Sequence, residues 1–149
     1  YTIFPHTTLF RSMGKKFKLQ VVTPNQTFYD DETDMVILKT TEGEIGILYG
    51  HVPIVAPLRI GSMRIRLDDQ TFKIAACSNG FFTVNHNVVT VVVDSAEWVE
   101  LIDLERALEA KSRAEERIKE GPEKGMDVVR AKVALERAIN RIKLRELHK

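Results

Sequence analysis

The chain has 149 residues, the size of one compact domain or of a small domain with an appendage, which leaves no room for two large catalytic lobes. Its 22 Lys+Arg against 21 Asp+Glu give a formal net charge of +1, too even for a globally basic nucleic-acid binder. The 44% hydrophobic and 29% charged shares are ordinary for a soluble fold and no apolar run reaches the roughly 20 residues of a membrane span, while the single Cys77 excludes an internal disulfide or a multi-cysteine metal site and fits a reducing compartment.

Residues 1–12 (YTIFPHTTLFRS) lack the apolar core and small-residue cleavage site of a secretory signal. They are set aside as a non-native or disordered leader ahead of Met13. From Phe17 to Gly80, Gly and Pro recur; they are then absent until Gly121, Pro122 and Gly125, which separates a turn-rich part, 13–98, from a turn-free part, 99–149.

In the turn-rich part, β-branched segments alternate with turn chemistry: 17–23 before Pro24-Asn25, 35–40 before Glu42-Gly43, and 63–67 before Asp68-Asp69. Residues 63–67 alternate apolar and polar, as a strand with one buried and one wet face does. Segments 72–76, 81–84 and 88–93 continue the series, the last apolar on both faces and therefore a central strand. Segments this short with no helix between them exclude parallel crossovers, which leaves a small antiparallel sandwich or barrel, and the expectation is an N-terminal antiparallel β-sandwich.

Residues 99–120 are rich in Ala, Leu, Glu, Lys and Arg, good helix formers. Leu104, Ala107, Leu108, Ala114 and Ile118 fall mostly on one face, interrupted by Lys111. Gly121-Pro122 stops this helix, and Asp127 is the expected N-cap of a second. There Val128, Ala131, Leu135, Ala138 and Ile142 repeat at 3, 4, 3, 4, a narrow seam for one partner helix. The short connection makes the pair an antiparallel hairpin, and its thin apolar stripes leave it able to exchange its packing for another surface. Net charge is −2 over 13–98, −3 over 99–127 and +5 over 128–149.

Glu42-Gly43-Glu44-Ile45-Gly46-Ile47-Leu48-Tyr49-Gly50-His51, with Val52-Pro53 to Leu58 after it, resembles the EGExGILPGHxP segment of the epsilon-subunit family of bacterial F-type ATP synthases. Val21-Val22-Thr23-Pro24, Cys77-Ser78-Asn79-Gly80-Phe81 in place of SGGF, and Ile102-Asp103-Leu104-Glu105-Arg106-Ala107 extend the resemblance over the whole chain from Met13. Two departures stand out. Tyr49 replaces the usual proline, which removes a fixed φ and stiffness from the loop, and Asn79 replaces a glycine at a turn where Asn tolerates a left-handed backbone.

The resemblance implies a non-catalytic rotor subunit of the central stalk in a proton-transporting complex, peripheral on the cytoplasmic face of a bacterial membrane and reaching that membrane only through the complex. Its sandwich lies between the gamma subunit and the c-ring. Its hairpin folds back or extends into the catalytic head, where it contacts alpha and beta and blocks ATP hydrolysis. ATP is implied as a regulatory ligand rather than a required cofactor, on Glu97, Ile102, Asp103, Arg106, Ala107, Arg113, Arg137 and Arg141. Guanidinium forks suit phosphate oxygens, and acids near a helix start suit adenine amino groups or sugar hydroxyls. Glu44 and His51 fall in the loop region assigned to the c-ring and gamma.

The last helix carries Arg130, Lys132, Arg137, Arg141, Lys143, Arg145 and Lys149 against Glu136 and Glu146, a surface for an acidic partner, which the resemblance identifies as the beta subunit. The same pattern fits a solvated basic face, or a β-sandwich adaptor whose basic helix binds nucleic acid or an acidic protein. Neither HExxH, a nucleophile elbow nor CxxC occurs, so no catalytic or metal-ligating set is assigned.

Overall fold

A computed structural model describes residues 15–121 and 125–148, with the side chains of 125–127 left aside. The leader 1–12, Pro122 and Lys149 lie outside the described residues. The chain divides into two compact units, residues 1–96 and 97–149.

The first unit is a β-sandwich. Its strands are β1 (Phe17–Val22), β2 (Thr27–Thr33), β3 (Met35–Thr40), β4 (Gly43–Leu48), β5 (Ile54–Leu58), β6 (Gly61–Arg66), β7 (Phe72–Cys77), β8 (Gly80–Asn85) and β9 (Val88–Val93), and a short β10 (Ala96–Trp98) straddles the unit boundary. The strands run in the order β7-β6-β3-β5-β8-β9-β1-β2, with β4 on β3. β3 meets β5 only through Thr40 opposite Leu58, so the sheet turns a corner there and folds over on itself. Alternate residues of the strands fill the interior: Phe17, Leu19 and Val21 of β1, Val36 and Leu38 of β3, Met63 and Ile65 of β6, Phe82 and Val84 of β8, and Val89, Val91 and Val93 of β9 are all buried. β9 lies between β8 and β1, the central place its apolar faces require.

The expectation of a wholly antiparallel sandwich needs one correction. β1 pairs with β9 in parallel, Leu19 opposite Val89 and Val21 opposite Val91. The long crossover that a parallel pair demands is here the body of the sandwich itself, not a helix.

Three strands escape the sequence pattern for identifiable reasons. β2 ends the strand order and carries Asp30, Asp31 and Glu32, the charges that protect an exposed edge from pairing with another chain. β4 follows a turn pinned by Thr40, whose hydroxyl donates to the Gly43 carbonyl at 2.7 Å and accepts the Glu42 N–H at 3.1 Å. β5 contains Pro57, tolerated because β5 is paired along its length with β8 alone. Asn79 is not among the residues with positive φ. Gly80, which has no positive φ either, is required for space: an added Cβ there would meet the Val92 carbonyl oxygen.

The second unit is the helical hairpin, α1 (Leu104–Glu120) and α2 (Gly125–Leu147). Residues Val99–Leu101 form a 3₁₀ turn rather than the start of α1. Ile102 and Asp103 are extended, and the Asp103 carboxylate accepts the Arg106 N–H at 3.2 Å as N-cap. Gly121 caps the other end through its N–H to the Arg117 carbonyl at 3.0 Å. α2 begins at Gly125, so Asp127 sits inside its first turn and is not its cap. The fully buried residues of the seam are alanines, Ala107 and Ala114 on α1 and Ala131 and Ala138 on α2, joined by Leu144. Leu108, placed by its spacing on the apolar face, is exposed instead. Among the described residues no helix is long and apolar enough to cross a membrane.

Candidate functional site

The segment before α1 and the C-terminal half of α2 converge within the hairpin unit. Arg141 Nε donates to Glu97 Oε1 at 2.8 Å, with the two side chains 28% and 37% exposed. One turn further on, Arg145 Nε donates to the Ile102 carbonyl at 3.2 Å. Arg137, Arg141 and Arg145 follow at i, i+4 and i+8 and so share one face of α2. Ile102 and Ala107 are buried apolar residues beside this face's partners. Their side chains offer packing only.

Of the eight residues implied as an ATP site, the structure brings Glu97 and Arg141 into direct contact. Asp103 and Arg106 are joined by the N-cap bond, which uses the Arg106 backbone and leaves its guanidinium on an exposed side chain. Arg113 is exposed and lies 4.0 Å from Glu109, one turn back on α1. Arg137 is half-buried. The arrangement can offer guanidinium donors to phosphate and carboxylate acceptors to a base or sugar, and Arg141 must exchange Glu97 for any anion it takes.

The basic face of α2 divides by role. Arg141 and Arg145 are drawn inward, whereas Arg130, Lys132 and Lys143 are exposed. Lys143 and Lys111 border a groove of about 350 Å³ with Ile139, Ile142, Glu146 and Leu147. The sequence pattern did not anticipate this groove, because its lysines come from different helices.

Glu44 and His51 are not brought together. Glu44 lies in β4, not in a loop, and the strand from Glu44 to Leu48 alone spans ~13 Å. A six-residue ladder opposite β3, from Gly43 against Thr40 to Leu48 against Met35, fixes this separation. Both Glu44 carboxylate oxygens accept from one Arg64 guanidinium nitrogen at 2.9 Å. The His51 ring Nδ1 is 2.8 Å from the Val52 carbonyl, which can only accept, so Nδ1 carries the proton.

One further surface is visible only in three dimensions. Val55 is 72% and Phe81 44% exposed, and the β5–β8 register sets Phe81 opposite the exposed Pro57, two residues from Val55. Together they make an outward apolar face of the kind that marks a protein interface. Inside, Arg66 Nε donates to Asp34 Oδ1 at 2.9 Å in an almost buried pair. Among the described residues no cluster of His, Cys, Asp or Glu could hold a metal ion.

Comparison with known proteins covers both units. Residues 16–99 match the family described as ATP synthase, Delta/Epsilon chain, beta-sandwich domain, and residues 100–146 match its long alpha-helix domain. The ATP synthase epsilon chain of Alkaliphilus oremlandii is 51% identical over 106 residues, 71% of this chain and 78% of that relative. That of Bacillus velezensis is 45% identical over 128 residues, 86% of this chain and 96% of that relative. Among solved structures, a chain of the Euglena gracilis mitochondrial ATP synthase, OSCP/F1/c-ring, superposes with a TM-score of 0.72 at 24% identity over 89% of this chain and 82% of its own. A chain of the Tetrahymena thermophila mitochondrial ATP synthase central stalk/c-ring does so with a TM-score of 0.54 at 16% identity, over 88% and 97%. The two structural likenesses speak for the fold.

Proposed function

The chain belongs to the ATP synthase delta/epsilon family and is a non-catalytic epsilon subunit by that membership, and from this premise we propose that it couples gamma to the c-ring and restrains ATP hydrolysis through its hairpin. In this reading the sandwich is the coupling element. Glu44 and His51, toward opposite ends of β4, serve the two partners separately, and the apolar face of Val55, Pro57 and Phe81 supplies buried area against gamma. The subunit works at the cytoplasmic face of the membrane and reaches it through the complex.

The hairpin is the switch. The observation that carries this reading is the inward tie of Arg141 and Arg145 to Glu97 and the Ile102 carbonyl. The folded state satisfies these guanidinium groups within the hairpin. Unfolding the hairpin from itself would release them, beside the already exposed Arg130, Lys132 and Lys143, to an acidic surface of the beta subunits. Charge complementarity of that kind sets orientation and speeds docking.

ATP acts on this switch if it binds the folded hairpin alone, which it then stabilises by RT ln(1 + [ATP]/Kd). Arg137 and Arg141, with Arg106 and Arg113, would hold the phosphates, and Glu97 and Asp103 the base or sugar. The phosphates compete with Glu97 for Arg141 but leave both helices in place. ATP well above Kd keeps the inhibitor folded, and depletion frees it.

Two measurements test this reading. Removing residues 99–149 is expected to raise ATP hydrolysis by the reconstituted head complex several-fold, and unchanged hydrolysis would exclude an inhibitory hairpin. In calorimetry on the full chain, Arg106→Ala combined with Arg137→Ala is expected to weaken ATP binding by at least about tenfold, since each charged hydrogen bond contributes about 1.5–3 kcal/mol. An unaltered affinity removes the site.

A further inference from the structure

Beyond the end of β4 the chain reverses in four residues. The His51 N–H donates to the Leu48 carbonyl at 3.2 Å, and Gly50 between them has a φ of +83°. These are the marks of a type II turn over residues 48–51, with Tyr49 and Gly50 at its centre. The second central position needs a positive φ, which Gly50 adopts without steric cost. The first favours proline, whose ring would lock φ near −65°, and Tyr49 provides no such lock.

The restraint comes instead from another part of the chain. The Gly50 N–H, unused by the turn's own bond, donates to Asn87 Oδ1 at 2.8 Å. The Lys15 ammonium lies 5.3 Å from the Tyr49 ring centroid, within cation–π range. Asn87 is itself held on both sides. Asn85 pairs with Val88 across a two-residue turn, in which His86 and Asn87 have φ of +49° and +61°, as the type I′ hairpin turn requires. The Asn87 carbonyl accepts the Lys18 N–H at 3.1 Å. One residue therefore joins the start of β1, the β8–β9 turn and the β4–β5 loop.

We propose that Asn87 is a positioning residue: its side-chain amide holds the 48–51 turn in the form that presents His51 to a rotor partner, in place of the proline absent at Tyr49. This rests on the reading of His51 as a partner contact. The His51 ring is oriented in turn by its Nδ1–H to the Val52 carbonyl, which leaves Nε2 as the ring's acceptor for a partner's donor.

Asn87→Gly removes the amide and keeps the left-handed backbone that glycine adopts freely, so the hairpin turn survives; Asn87→Asp keeps an acceptor oxygen. In the full chain, Asn87→Gly is expected to speed amide exchange at Gly50 by roughly three- to tenfold, the worth of one neutral hydrogen bond, and to weaken binding to a reconstituted gamma–c-ring complex by a similar factor. Asn87→Asp is expected to preserve both, and Tyr49→Pro added to Asn87→Gly to restore binding alone, since proline stiffens the turn but gives the Gly50 N–H no acceptor. Unchanged exchange at Gly50 overturns the proposal. So does faster exchange with unchanged binding when His51→Ala weakens binding. If exchange quickens but neither Asn87→Gly nor His51→Ala alters binding, the contact at His51 itself fails, and the positioning role with it.

Discussion

Burial pushes the Cys77 thiol up to about 12, and the side chain lies in the sandwich core at the end of β7. Only the thiolate is a good nucleophile. At pH 8 the native chain is therefore expected to react with iodoacetamide at least about a hundredfold more slowly than the chain in denaturant. The same burial gives a pH dependence of stability. The folded-state pKa is raised above the unfolded value of about 8.5, so folding favours the bound proton. That contribution is fully present below about pH 8.5 and is lost as pH climbs toward 12, with a slope of at most ~1.4 kcal/mol per pH unit. Denaturant titrations from pH 8 to 11 should show this slope in the native chain, with Cys77→Ala losing the part that belongs to the thiol. Asp34 and Arg66 illustrate what residue identity leaves hidden: their pairing joins residues 32 positions apart, and nothing local marks it.

At the scale of elements, the hairpin depends on small residues. Ala107 and Ala114 are seven residues apart on α1, as are Ala131 and Ala138 on α2, and all four are buried. Close approach of the helices leaves no room for a larger side chain at these positions. Ala114→Leu is expected to cost the hairpin about 1–3 kcal/mol, the usual penalty of overpacking, read as lost amide protection along α1 and α2 with sandwich amides unchanged. The heptad spacing made this seam legible in sequence, but the Asp103 cap was not, because helix-forming residues on both sides of it hide where α1 begins. Leu108 was misplaced because a face read from apolar identity alone is wider than an alanine seam can bury. β2, β4 and β5 were illegible because edge charges, a glycine and a proline each break the alternation that reveals a strand. The β1–β9 pairing depends on how the intervening strands fold over, which local pattern does not encode. Among site residues, Glu97 and Arg141 were named from sequence, but their contact was not. Asn87 went unread, although Asn85-His86-Asn87 between two apolar segments carries the chemistry of a hairpin turn.

Across the whole molecule, the two units are built on different terms. The sandwich buries Phe17, Leu19, Met63, Ile65, Phe82 and Val89, Val91 and Val93 of β9 in a core of its own, whereas the hairpin's buried seam consists of four alanines and Leu144 with polar ties at Glu97 and Ile102. Apolar burial contributes roughly 25 cal/mol per Å², so the alanine seam stabilises its unit far less per residue than the sandwich core does. Local opening follows the weaker unit. In hydrogen exchange on the full chain without nucleotide, α1 and α2 amides are expected to exchange through an opening that leaves the strands closed. If ATP holds the folded hairpin, nucleotide at 100 times its Kd should raise protection of α1 and α2 by ~2.7 kcal/mol and leave the β9 and β1 amides unmoved. Equal protection in both units without ATP would deny the hairpin its separate opening. A rise spread evenly over strands and helices would place the ligand's effect on global unfolding, and the hairpin would then have no state of its own for ATP to select.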